Sequence, residues 1–115
     1  WASKEAGALW ETHVLNQWLR WRDWHEPSIG LWYWRDQAGN EVDFLLEKNR
    51  KLIPIECKLT ERPGKADLKG IKRLKTFYGQ EDVASAYLAC PIDLPYTLEL
   101  GITAVPGWQV WPLEV

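Results

Sequence analysis

The sequence predicts an α/β domain in which a central mixed β-sheet is flanked by α-helices. Two segments carry apolar residues at three- and four-residue spacings, as helices packed on a core do. Several shorter segments alternate apolar and polar residues between turn signals, as strands do. The order of helix, three strands, helix and further strands is typical of a mixed α/β architecture. The 115 residues suffice for one domain, 1–115, with its own core.

The first helix is predicted from a cap at Ser3 to about Trp24, before Pro27 and Gly30 interrupt the chain. Glu11 lies within its apolar stripe rather than opposite it, because the spacing of the face includes it. The residues that share this face are Ala8, Glu11, Val14, Leu15, Trp18 and Trp21 or Arg22.

Strands are predicted over 31–36, 41–48, 51–58 and 83–90. Two more, around 98–105 and 108–112, are expected to flank a turn at Pro106-Gly107. No membrane-spanning segment and no signal peptide is expected. Cys57 and Cys90 form no disulfide framework, so we expect two reduced, buried thiols in a cytoplasmic protein.

The second helix, roughly 67–78, is predicted to point Leu68, Ile71, Leu74 and Tyr78 at the core. The net charge of the chain is −2, which gives no general sign of nucleic-acid binding. Basic residues nevertheless concentrate between 58 and 75, which suits an anionic partner, although a solvated helix face explains the same pattern. The basic residues expected to point outward are Lys65, Lys69, Lys72 and Arg73.

A two-residue turn at Asn49-Arg50 would pair strands 41–48 and 51–58 as a hairpin. This register places Asp43 opposite Glu56, and Glu41 opposite Lys58 in a cross-strand ion pair. Leu45 faces Pro54 on that same side. The opposite side is expected to be continuously apolar, formed by Val42, Phe44, Leu46, Ile53, Ile55 and Cys57.

Two facing carboxylates repel each other unless something lies between them. Mg²⁺ suits such a pair, because it binds one or two carboxylates and leaves its other positions to water and phosphate. Lys58 projects from the same side as Glu56 and can reach that water or phosphate. A plain amphipathic hairpin with a charged, solvent-facing side explains the pattern equally well.

The motif of Asp43 closing "NEVD", then Glu56-Cys57-Lys58, with a helical Glu11 upstream, resembles the PD-(D/E)XK nuclease superfamily. More narrowly, "GALWETHVLNQWL", "YWRDQAGNEVDFLLEKNRKLIPIECKLTERP" and "DLKGIKRL" resemble the C-terminal domain of unknown function fused to bacterial and archaeal AAA-type P-loop ATPases. One departure is Val42 in place of the superfamily's proline. The resemblance implies a restriction-endonuclease-like fold.

The resemblance also implies roles for named residues. Asp43 and Glu56 would bind Mg²⁺ or Mn²⁺, with the backbone carbonyl of Cys57 as a further ligand. Lys58 would position the attacking water and stabilise charge on phosphate, and Glu11 would be the accessory acid. DNA or RNA is the implied partner, contacted by the basic residues of the second helix.

The chain contains no ATP site of its own, because "PGKAD" lacks the other residues of a phosphate-binding loop. The chain also lacks an initial Met, so we expect a missing upstream region, and the resemblance implies that this region is an ATPase domain of the same polypeptide. Two functions stay open: a Mg²⁺-dependent nuclease, and a catalytically inactive module that binds proteins or regulates the fused ATPase.

Overall fold

The structure, a computed structural model, describes residues 4–113 as a six-stranded mixed sheet with two α-helices, which confirms the predicted fold class. The predicted cap Ser3 lies outside the described residues. Neither helix within 4–113 combines the length and the apolar composition that a membrane span requires. The elements are α1 (Lys4–His25), β1 (Gly30–Arg35), β2 (Glu41–Lys48), β3 (Lys51–Cys57), a 3₁₀ turn (Lys65–Leu68), α2 (Lys69–Tyr78), β4 (Ala86–Cys90), β5 (Tyr96–Glu99) and β6 (Ile102–Pro106).

The sheet has the strand order β1-β2-β3-β4-β6-β5, so β1 and β5 are its edges. The pairs β3–β4 and β4–β6 are parallel, whereas β1–β2, β2–β3 and β5–β6 are antiparallel. Helix α2 connects the parallel strands β3 and β4, as a crossover helix commonly does.

The β2–β3 hairpin has the predicted two-residue turn and register. Asn49 and Arg50 both have positive φ, 52° and 64°, as a type I′ turn requires. Phe44 pairs with Ile55, and Leu46 pairs with Ile53. The alternation of side chains and the short turn together therefore specify this part of the sheet from local sequence.

Two hydrophobic clusters cover the two faces of the sheet, one under each helix. Helix α1 contributes Trp10, Val14 and Trp18 to a cluster that includes Phe44 and Ile55. Helix α2 and the 3₁₀ turn before it contribute the residues of the second cluster that were predicted to face the core, Leu68, Ile71 and Leu74. Tyr78 was also predicted there, but it is exposed at the last residue of α2.

Burial contradicts the alternative of an amphipathic hairpin with a charged, solvent-facing side. Leu45 and Pro54 are both buried, and Leu45 belongs to the cluster under α2. The side of the hairpin that carries Glu56 is therefore covered by a helix. A local hydrophobic pattern could not reveal this, because α2 reaches the hairpin only through the tertiary fold.

The C-terminal strands also differ from the prediction. The segment expected as one strand around 98–105 is interrupted by a turn at Gly101, whose φ of 79° favours glycine. It is divided between β5 and β6, and Pro106 closes β6. The predicted strand 108–112 is absent, and Trp111 packs from irregular chain into the cluster under α1. Pro112 has no N–H for a ladder, which disfavours a strand there.

Candidate functional site

Asp43 and Glu56 lie together where the β2–β3 ladder ends. The last paired residues are Phe44 and Ile55, one step before the two acids. Beyond that point, Asp43 Oδ2 accepts a hydrogen bond from the backbone N–H of Cys57 at 2.6 Å. The carboxylate therefore takes the place of a backbone acceptor and is held against β3. The structure brings these two predicted site residues into contact.

A β-bulge in β2 positions Asp43. Trp32 pairs with Leu45 and Trp34 pairs with Val42, so β2 contains one more residue than β1 over this interval. The extra residue reverses the alternation, and Val42 packs in the cluster under α2 while Phe44 packs under α1. The predicted apolar face that joined Val42 to Phe44 is therefore wrong.

Glu56 is a buried acid, with only 7% of its surface exposed. Its pKa is raised well above the ordinary value, first by burial, then by a hydrogen bond with the Asp43 side chain and by the charge of Asp43. The charge of Lys58 acts in the opposite direction. At neutral pH Glu56 therefore keeps its proton and is hydrogen-bonded to the Asp43 side chain.

Gly70 of α2 lets the helix lie directly on this pair. A Cβ at this position would overlap the backbone oxygen of Glu41 and come within 3.0 Å of Glu56 Oε2. The sequence prediction missed this residue, although a glycine inside a helical pattern is itself a signal of close packing. A residue with a Cβ at this position would hold the helix away from Glu56.

Lys58 is partly buried and lines the same polar cleft, whose volume is about 380 Å³. Within residues 4–113 its ammonium group forms no salt bridge, so the predicted pair with Glu41 is wrong. Glu41 instead bonds Arg35 at 3.0 Å. The β3 strand ends at Cys57, and the Lys58 N–H donates to the Ala89 carbonyl of β4. The Lys58 side chain is therefore available to a ligand.

Glu11 faces the opposite side of Asp43. It lines a second cleft, of about 500 Å³, together with Glu41 and Asp43. Burial raises the pKa of Glu11, and the charges of Asp43 and Glu41 raise it further. Helix α1 thus places a third acid near the pair, as its position on the apolar stripe suggested.

Cys57 and Cys90 are both free thiols, with Cys90 buried and Cys57 partly buried. Burial raises the pKa of both thiols, and the charges of Asp43, Glu11 and Glu56 raise that of Cys57 further. Neither thiol is therefore a thiolate at neutral pH, which leaves the backbone carbonyl of Cys57 as the group it can offer to a hard cation.

The donor atoms fit a Mg²⁺ ion held by two carboxylates. Mg²⁺ binds through one or two carboxylates and keeps several waters. Asp43 and Glu56 supply two hard oxygen donors in contact, and Asp43 has one oxygen free of the Cys57 hydrogen bond. Among residues 4–113, no three acidic, histidine or cysteine side chains are arranged to hold a metal. Glu11 therefore does not complete a three-carboxylate site.

The predicted basic face of α2 is exposed, but its four residues differ in availability. Lys72 bonds Glu99 at 2.7 Å, and Arg73 lies 3.9 Å from Asp36. Lys65 and Lys69 form no salt bridge with the rest of residues 4–113, and Lys69 lines the cleft of Glu56 and Lys58. Of these four residues, the two without a salt bridge among residues 4–113 therefore lie at the start of the helix, beside the acidic pair.

Comparison with known proteins identifies the family of the chain. Residues 6–113 match the family described as Domain of unknown function (DUF4143). No curated protein matches the chain. The relationship to PD-(D/E)XK nucleases and the fusion to an ATPase stay predictions. Because the match extends over well more than half of the sequence, the chain belongs to the DUF4143 family.

Proposed function

We propose that the chain is a Mg²⁺-dependent, nuclease-like domain that binds DNA or RNA and hydrolyses its phosphodiester bonds. The observation that carries this proposal is the buried Glu56 in contact with Asp43, with Lys58 in the same cleft and without a salt bridge among residues 4–113. Burying an acid is costly, and a divalent cation in place of the Glu56 proton would offset both the burial and the repulsion.

Each site residue has a role that follows from its place. Asp43 and Glu56 would hold the cation, with the Cys57 carbonyl as a further donor. The cation supplies a water of lowered pKa and neutralises charge at phosphorus. Lys58 donates hydrogen bonds to a phosphate oxygen and stabilises the charge that develops there. Glu11, on the far side of Asp43, orients water entering from the second cleft.

The unpaired basic residues contact the neighbouring phosphates. Lys69 lies in the cleft itself. Lys65, four residues before Lys69 in the chain, is exposed. Both contribute sequence-independent affinity that falls as salt concentration rises. Lys72 and Arg73 contribute less, because each has a carboxylate partner. The expected ATPase domain of the same polypeptide would supply the biological context.

Cleavage of oligonucleotides tests the catalytic proposal. The chain is incubated with labelled DNA and RNA in Mg²⁺ or Mn²⁺, and the variants are Asp43→Asn and Lys58→Ala. We expect each variant to lose at least about a hundredfold in rate, the typical effect of removing one charge-stabilising group. The matched controls Glu61→Gln and Lys4→Ala change exposed residues outside both clefts and keep the wild-type rate.

Two results would contradict the proposal. The first is no cleavage with either metal ion. The second is cleavage that both site variants retain, because a contaminating nuclease would explain such activity. Circular dichroism of each variant shows that the fold is intact.

The second candidate function is a non-catalytic module that packs against the ATPase or another protein. It is favoured by large apolar side chains left in solvent, with Leu9 71% exposed, Trp24 85% and Leu100 98%. Exposed apolar surface is a feature of protein interfaces. This function requires no metal, so an unchanged melting temperature in Mn²⁺ favours it over hydrolysis.

A further inference from the structure

A cleft of about 910 Å³ lies between the edge strand β1, the β1–β2 turn and the last turns of α2. Its walls combine aromatic rings with guanidinium groups. These rings and guanidinium groups belong to Tyr33, Trp34, Arg35, Arg73 and Phe77, and the β1–β2 turn adds Asp36, Gln37 and Ala38 to the lining. The acidic pair does not line this cleft, and nothing in the roles proposed above uses its rings.

Two of the rings are exposed in a way that a folded core does not require. Tyr33 is 81% exposed and Phe77 is 68% exposed. Trp34 is buried beneath Phe77, and the two ring centroids lie 6.0 Å apart. Phe77 is thus supported from below and presents the rest of its surface to solvent. Nucleobases stack on flat aromatic rings of this kind, and neighbouring arginine side chains strengthen the binding.

The guanidinium groups keep hydrogen-bonding capacity for an anion. Arg35 bonds Glu41, and Arg73 lies near Asp36, which also accepts two hydrogen bonds from Asn40. A guanidinium has five N–H donors, so one carboxylate leaves several of them free. The side chains of Arg35 and Arg73 are 69% and 55% exposed. Both can therefore turn to a phosphate.

The aromatic cleft shares three residues with the second cleft, which reaches Asp43 of the acidic pair. Tyr33, Trp34 and Arg35 also line the cleft that contains Asp43 and Glu11. Tyr33 lies in β1 opposite the bulge that positions Asp43. A chain of nucleotides that places a phosphate at Asp43 would therefore meet Tyr33 and then Phe77.

We propose that the domain selects unpaired nucleic acid, whose bases stack on Tyr33 and Phe77 while the backbone runs to the acidic pair. This inference rests on the proposed function and names its substrate class. In a duplex the faces of the bases are already stacked on each other, so only single strands, loops or frayed ends can reach the rings. Two features favour this occupant over a peptide. The aromatic cleft shares residues with the cleft that contains Asp43, and the guanidinium groups of Arg35 and Arg73 can bind phosphates.

Fluorescence anisotropy separates stacking from catalysis. The probes are a fluorescein-labelled single-stranded thymidine 20-mer and a duplex of equal length, each measured in EDTA and in Ca²⁺. The variants are Tyr33→Ala, Phe77→Ala and their double variant. The conservative control Tyr33→Phe keeps the stacking ring, and Trp24→Ala removes an equally exposed ring outside the clefts.

We expect each alanine variant to weaken single-strand binding about tenfold and the double variant about a hundredfold. Duplex binding changes less than twofold, and both controls keep the wild-type affinity. Because the two rings are exposed, thermal melting should show folded variants.

The outcomes distinguish this inference from the proposed function. Ring-dependent binding without any cleavage upholds the inference and removes the catalytic proposal. Cleavage with unchanged single-strand affinity in both ring variants, or an equal loss for duplex and single strand, overturns the inference alone. If the wild-type chain fails to bind the 20-mer in EDTA and in Ca²⁺, the inference is wrong and the cleft is left to a protein partner.

Discussion

The substitution Glu56→Gln tests directly whether the buried acid carries a proton in the folded protein. Glutamine has the shape of a protonated glutamic acid, and its amide can donate a hydrogen bond to Asp43 as the protonated Glu56 carboxyl does. It cannot ionise, so it stays neutral at every pH. The variant should therefore fold like the wild type at low pH and differ from it only as the pH rises.

The sign and size of the effect follow from linkage. The pKa of Glu56 is raised above its unfolded value near 4.5. The folded chain therefore binds a proton that the unfolded chain has released, and the free energy of unfolding falls as pH rises. One proton corresponds to at most about 1.4 kcal/mol per pH unit, or about 2.7 kcal/mol between pH 6 and pH 8. The raised pKa of Glu11 adds a contribution of the same sign.

Urea unfolding from pH 5.5 to pH 8.5 measures this slope. We expect a stability that declines with pH in the wild type and a flatter profile in Glu56→Gln, so that the variant is the more stable protein at pH 8. The control Glu61→Gln removes an exposed carboxylate and should keep the wild-type slope. Equal slopes in the wild type and Glu56→Gln would refute a protonated Glu56.

Two further predictions concern the same region. Saturating Mn²⁺, at 100 times its Kd, should stabilise the chain by about 2.7 kcal/mol. The affinity for Mn²⁺ should be higher at pH 8 than at pH 6, because Glu56 must lose its proton before it binds the cation. Equal affinities at the two pH values in a calorimetric titration would argue against this site. Gly70→Ala should destabilise the fold by about 2 kcal/mol, because the new Cβ overlaps a backbone oxygen. The matched variant Gly7→Ala has no atom within 4 Å of its new Cβ, so its free energy of unfolding in urea should rise by about 0.5–1 kcal/mol. A similar rise for Gly70→Ala would contradict the close packing.

The part of the site that could be predicted from sequence is the part that local geometry controls. Asn49 and Arg50 form a turn of two residues, and a hairpin with such a turn has one register. From that register the approach of Asp43 to Glu56 follows. The bulge was not predictable in the same way, because an extra residue in β2 leaves the pattern of apolar residues nearly unchanged. It was nevertheless enough to move Val42 to the other face.

By itself, the sequence determined the order of the elements as far as β4, the faces of the helices apart from Tyr78, and the carboxylate pair, since each depends on residues close together in the chain. Only the tertiary structure decided that α2 buries Glu56 beneath Gly70, that Glu11 approaches Asp43 from the other side, and that an aromatic cleft adjoins the site. These features depend on where two helices cross a sheet. The packing of residues distant in sequence sets that crossing, and the same burial of Glu56 raises its pKa above the range expected from its residue type.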